Sequence, residues 1–236
     1  MIILWRLLLA HLLADFTLQT DWVNHSKRHG WPGMLVHTGT HLLAMLVLTW
    51  PFRHEFWVNW SFLQIQGWFC VVLLFLIHNL QDYWRIYTIK RFHTADGVLN
   101  FLWDQLVHIG FLFVFSPVVR FADSGTFFPE KWVILGCLFV LVTHAGTVMM
   151  YFLEQRLYGD KFPTFDRKYL VMANRALLWL VILLPGWQGL VYGILWLGYT
   201  AYLLRVHMLD LGRGTFYLGL AMTALCGVAG RLLLFY

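Results

Sequence analysis

The chain has 236 residues, 60% of them hydrophobic and 12% charged, with a formal net charge of +5. A composition this apolar, with a mean hydropathy of +0.65, excludes an ordinary soluble domain and points to an integral membrane protein. The Lys and Arg residues are scattered through short loops and form no contiguous patch, so a nucleic-acid partner is not expected.

A membrane span needs about 20 mostly apolar residues, and the sequence divides into such lengths at 2–22, 31–51, 66–87, 98–119, 132–153, 169–185, 189–207 and 214–235. Pro185 and Gly186 interrupt the sixth and seventh, which form either a tight helical hairpin or one broken element. The expected fold is therefore an all-α polytopic transmembrane helix bundle of about 8 spans (7 to 8) in a single domain. Residues 1–119 form a four-helix metal-site bundle, and 120–236 add supporting transmembrane helices. Trp22, Trp31, Trp50, Trp68, Trp132 and Trp187 fit aromatic belts at the two interfaces. The first apolar stretch lacks a basic leader and carries Asp15 and Gln19 where a secretory signal is purely apolar, so it is expected to be retained. Cys70, Cys137 and Cys226 lie in apolar stretches without a Cys-x-x-Cys pattern and read as inert buried thiols.

Loop charge orients the chain. Lys27, Arg28, Arg85, Lys90, Arg91, Arg156, Lys161, Arg167, Lys168, Arg205 and Arg213 fall in odd-numbered loops, against Arg53, Arg120 and Lys131 in even-numbered ones. The positive-inside rule makes the odd loops cytoplasmic and places both termini outside. The loop from Glu154 to Lys168, with Tyr158, Phe162 and Phe165, suits a segment lying on the inner leaflet.

The first four spans each carry two metal-capable side chains four residues apart: His11 with Asp15, His37 with His41, His78 with Asp82, and Asp104 with His108. That spacing puts both members on one helix face. With about 1.5 Å of rise per residue, Asp15, His37, Asp82 and Asp104 lie roughly 7–10 Å inside the cytoplasmic end, and the other four roughly 14–16 Å deep. Intramembrane ionisable residues are costly and usually functional. Imidazole and carboxylate suit Zn, Mn or Fe, and eight ligands exceed what one ion uses, so the expected cofactor is two divalent metal ions, most simply Zn. Gln19, Asn79 and Gln105 are candidates for orienting ligands or contacting substrate. Arg175 is a candidate anchor for a phosphate or carboxylate head group, or a partner for one of the aspartates. His144, with Thr143 and Thr147, reads as a structural histidine rather than a further ligand.

The run His11-Leu-Leu-Ala-Asp15-Phe-Thr-Leu-Gln19-Thr-Asp21-Trp22, the His37/His41 pair, His78-Asn-Leu-Gln-Asp82-Tyr and Asp104-Gln105-Leu-Val-His108 resemble bacterial membrane proteins of the domain-of-unknown-function 3307 family. A weaker similarity continues through Asn174-Arg175, where the family's acidic-basic dipeptide after the arginine is replaced by Ala176-Leu177-Leu178. The resemblance implies a multi-pass protein of the bacterial inner membrane and importance for the motif residues; it brings no established activity.

Three functions are expected from the residues. The first is a membrane-embedded enzyme that hydrolyses a lipid-borne ester or phosphoester near the cytoplasmic leaflet, with Asp15, Asp21, Asp82 and Asp104 as candidate catalytic carboxylates. Its partner would be membrane lipid, as surroundings and as substrate. The second is a divalent metal (zinc) transporter. Against it stand the almost wholly apolar external halves of the spans. The third is a di-iron lipid oxidase akin to desaturases, which the absence of any His-His pair disfavours.

Overall fold

The structure, a computed structural model, describes residues 2–117, 128–159, 165–209 and 212–235. Arg120, Lys161 and Phe162 of the loop arguments lie outside the described residues, as does the end of the 98–119 span. Among the described residues the chain is helical apart from one short hairpin, and it divides into two compact units, Met1–Val133 and Ile134–Tyr236.

In the first unit, α1 (Ile2–Leu12) runs into a π-helical turn at Leu13–Thr17, closed by the Leu18 amide donating to the Leu13 carbonyl at 2.7 Å. Such wide turns recur at functional sites. The chain then bends by 89° into α2 (Asp21–His29), capped by the Thr20 hydroxyl, which accepts from the Val23 amide at 3.3 Å. Asp21 in its first turn and Lys27, Arg28 and His29 in its last complement the helix dipole. α3 (Trp31–Thr49) turns back at once, with Pro32 in its first turn where a missing amide costs nothing. α2 and α3 touch through Gly33: a Cβ there would lie 2.3 Å from the Ser26 carbonyl carbon. That close approach aims Lys27 at the face of α3.

A 3-10 turn at Trp50–Phe52 leads into an antiparallel hairpin, β1 (Phe56–Trp60) and β2 (Leu63–Gln66), with Trp60 opposite Leu63. The Trp57 indole folds under it, donating to the Phe52 carbonyl at 3.0 Å and filling the space above Gly67, where a Cβ would come within 2.4 Å. α4 (Gly67–Phe92) and α5 (Val98–Val114) complete the unit. α1 packs on α3 and α5, and α4 packs on α3 and α5, so α1, α3, α4 and α5 enclose a common interior. Arg6 is buried within this unit and donates to the Leu48 carbonyl at 3.2 Å.

The second unit begins at Ile134, within α6 (Glu130–Val140), which with a π turn (Leu141–Ala145) and α7 (Gly146–Tyr158) forms one apolar rod. α8 (Phe165–Leu183) and α9 (Gly186–Arg205) form a tight hairpin through Pro185 and Gly186, the latter at φ +60°. The Asn174 side chain and carbonyl bind Thr200 and the Trp196 indole across it. α10 (Arg213–Phe235) buries Thr215, Gly219, Thr223, Gly227 and Gly230. Small residues on such a face let helices approach closely; a Cβ on Gly227 would lie 2.9 Å from Ile182 of α8.

The expectation of eight spans is corrected. Among the described residues, three helices are long and apolar enough to cross a membrane: Trp31–Phe52, Glu130–Tyr158 and Arg213–Phe235. The bent pair Ile2–Thr17 with Asp21–His29 makes a fourth if it is one span. The shortfall has physical causes. α5 has 17 residues, α8 carries Arg167, Lys168, Asn174 and Arg175, and α4 is diluted by the polar run His78-Asn79-Leu80-Gln81-Asp82. The first span expected over 2–22 stops at the π turn, and Asp21 begins a new, polar helix.

Candidate metal centre

The interior enclosed by α1, α3, α4 and α5 holds one cluster of imidazoles and carboxylates. The four-residue spacing works on each helix as geometry requires, turning both members to one side, and on α1 the π turn carries Asp15 toward α3. The His41 and His78 rings lie 3.7 Å apart between centroids, His78 and His108 4.2 Å, and His37 and His41 4.9 Å. His11, His37, His41, His78 and His108 are buried; the carboxylates of Asp15, Asp82 and Asp104 are slightly more open, with side chains 9%, 6% and 11% exposed.

Two groups could hold a metal ion: Asp15, His37, His41 and His78, and, overlapping it, His78, Asp82 and His108. In the first, Asp15 Oδ1 lies 3.0 Å from His41 Nε2, 3.3 Å from His37 Nε2 and 3.9 Å from His78 Nε2, and the His37 and His78 nitrogens are 3.5 Å apart. Donor atoms of a tetrahedral zinc with bonds of about 2.0–2.1 Å are separated by about 3.3 Å; the four donors, all within 4.8 Å of one another, reach that spacing with small side-chain shifts and release of Lys27 from His37. In the second, His108 Nε2 is 3.6 Å from Asp82 Oδ1. An imidazole nitrogen has one lone pair, so His78 Nε2 serves one group at a time.

Charge separates the three aspartates. Asp104 is paired with Arg85 at 2.7 Å and Asp82 with Lys27 at 2.9 Å. Among the described residues Asp15 has neither a Lys nor an Arg partner. Its oxygens meet imidazoles and the Gln105 amide, which donates to Oδ2 at 3.2 Å. Because Gln105 donates there, its carbonyl accepts from His11 Nε2, also at 3.2 Å. His11 is thereby fixed with its Nε2 proton on Gln105, 3.5 Å from Asp15 Oδ2, and it orients the carboxylate instead of joining either ligand group. Among the described residues, the buried Nδ1 atoms of His11, His37 and His41 meet no hydrogen-bond partner.

The remaining expected residues lie at varying remove. Asn79 donates to Thr38 Oγ1 at 3.1 Å and ties α4 to α3. Gln19 sits in the bend after the π turn, its Oε1 buried without a hydrogen-bond partner. Asp21 is exposed in the first turn of α2 and belongs to neither ligand group. Arg175 and His144 belong to the second unit. Two cations that sequence reasoning counted only as loop charges are part of the centre. The Lys27 ammonium is 3.2 Å from His37 Nε2 as well as 2.9 Å from Asp82. Arg85 joins Asp104 to Asp96 at 2.9 Å, and Asp96 in turn takes Arg28 at 2.9 Å. No spacing rule links Lys27 to His37; the available signal was the polar, well-capped helix that carries it. Asp96 lies in the loop between α4 and α5, where burial opposes its charge but Arg85 and Arg28 hold its carboxyl below the usual carboxylate range.

A helical chain with membrane-length helices and a buried His/Asp group able to hold a metal ion defines the class of protein. Residues 3–135 match the family described as "Protein of unknown function (DUF3307)", and the chain belongs to that family. The matched region contains every residue of the cluster. No curated protein and no solved structure matches the chain.

Proposed function

We propose that this is a membrane-embedded, metal-dependent enzyme of the bacterial inner membrane that hydrolyses an ester or phosphoester of a membrane lipid near the cytoplasmic leaflet. The observation that carries the reading is the set of four donor atoms within 4.8 Å of one another, three imidazole nitrogens lying 3.0–3.9 Å from Asp15 Oδ1, with Asp15 the one carboxylate of the three that no Lys or Arg among the described residues neutralises. A divalent cation supplies the missing charge. His37, His41 and His78 would hold a zinc ion, and the chemistry such an ion would supply is a bound water acidified to about pKa 7. Asp15, within 3.9 Å of all three imidazoles, then serves as fourth ligand or as the base that holds the water's proton. Gln105 and His11 keep its carboxylate in place. A second ion, the other half of a di-metal centre, would use Asp82 and His108, with Lys27 withdrawn from Asp82 and His78 given up by the first group.

Purified protein should hold about one equivalent of Zn, Mn or Fe, lost in Asp15→Asn and in His41→Ala. Metal-free preparations that stay metal-free after zinc addition would end the proposal. A zinc transporter is the second reading, favoured by one feature: two overlapping ligand groups that share His78 could pass an ion between them. Metal-dependent cleavage of lipid esters or phosphoesters in detergent supports the enzyme; zinc uptake into proteoliposomes without lipid turnover supports the carrier.

A further inference from the structure

We infer that the second unit binds a halide-sized monovalent anion at Arg175, independently of the His/Asp centre. Arg175 lies midway along α8 and is 5% exposed. A guanidinium is always charged in a protein, and a buried charge needs a partner of opposite sign. Among the described residues, no carboxylate forms an ion pair with Arg175. Its one bonded nitrogen donates to the Thr143 carbonyl at 3.1 Å and to the Thr147 hydroxyl. Both acceptors are neutral, and Nε and the other terminal nitrogen are buried without any acceptor.

The space beside the guanidinium is built rather than accidental. Arg175, Asn174, Met150, Thr215, Phe216 and Gly219 line a cavity of about 20 Å³. A cavity of that size admits one water-sized body, which is smaller than a phosphate or carboxylate head group. A halide is little larger than water. A glycine makes the room: Gly219 lines the cavity, and a Cβ there would stand 3.9 Å from the Arg175 terminal nitrogen. A water in the cavity would satisfy a donor and leave the charge uncompensated; a chloride accepts the hydrogen bond and compensates the charge.

The test is the thermal unfolding midpoint of the full chain in detergent, titrated with sodium chloride or bromide against sodium gluconate at constant ionic strength. Gluconate is too large to enter. The wild type should show a saturable rise of several degrees with halide. Arg175→Met should remove the dependence, and Gly219→Ala, which keeps the charge and fills the cavity, should remove it while folding normally. A wild type indifferent to halide, or the same rise in Arg175→Met, overturns the inference.

Discussion

Lys27 and a metal ion cannot both hold His37. The ammonium lies 3.2 Å from His37 Nε2 and 2.9 Å from Asp82 Oδ2, and its side chain is 13% exposed. The His37 nitrogen has a single lone pair, so an ion bound by Asp15, His37, His41 and His78 must first displace Lys27 from it. A hydrogen bond involving a charged group contributes roughly 1.5–3 kcal/mol, and about 1.4 kcal/mol is a factor of ten in affinity. Repulsion between the ammonium and the incoming cation acts in the same direction. Lys27→Met, which keeps the length and removes the charge, is therefore expected to bind zinc about 10- to 100-fold more tightly than wild type, and Lys27→Arg to stay near it. Competition with a chromophoric zinc chelator in detergent measures both. A Lys27→Met protein that unfolds like wild type yet binds zinc no more tightly would refute the competition and relocate the ion away from His37.

Gly33→Ala places a methyl carbon 2.3 Å from the Ser26 carbonyl carbon; backbone cannot rotate aside, so α2 must lift from α3. Overpacking of this kind costs roughly 1–3 kcal/mol, seen as a lower unfolding midpoint, and withdrawal of Lys27 should carry zinc affinity toward that of Lys27→Met. Asp96 predicts an acid limb. Its folded carboxyl is held below the usual range by Arg85 and Arg28 despite its burial, so its contribution is present above the unfolded value and lost as pH falls through the folded one. Asp96→Asn should be less stable than wild type at neutral pH, with the difference closing as the pH is lowered; a constant difference across the acid range would show that the ion pairs are not responsible.

Periodicity was enough to read helices, and one-turn spacing was enough to pair the ligands. His37 with His41 and His78 with Asp82 face one way because 3.6 residues make a turn, whatever surrounds them. Sequence was less able to count membrane spans. The polar residues that build the site lower the hydropathy of α4 itself, and the break after Thr17 depends on a five-residue backbone hydrogen bond that no composition reveals.

The amino-acid order by itself determined that α1, α3, α4 and α5 would each present a metal-capable stripe, since helical geometry is local. Only the tertiary structure decided what those stripes do for one another. It gave Asp82 to Lys27 and Asp104 to Arg85, left Asp15 to the imidazoles, turned His11 into a support for Gln105, and set Arg175 in a cavity lined by no carboxylate among the described residues. Charge compensation is a matter of distance through space, and the distances from Lys27 to Asp82 and from Arg85 to Asp104 are fixed by how helices pack, not by how far apart the residues stand along the chain.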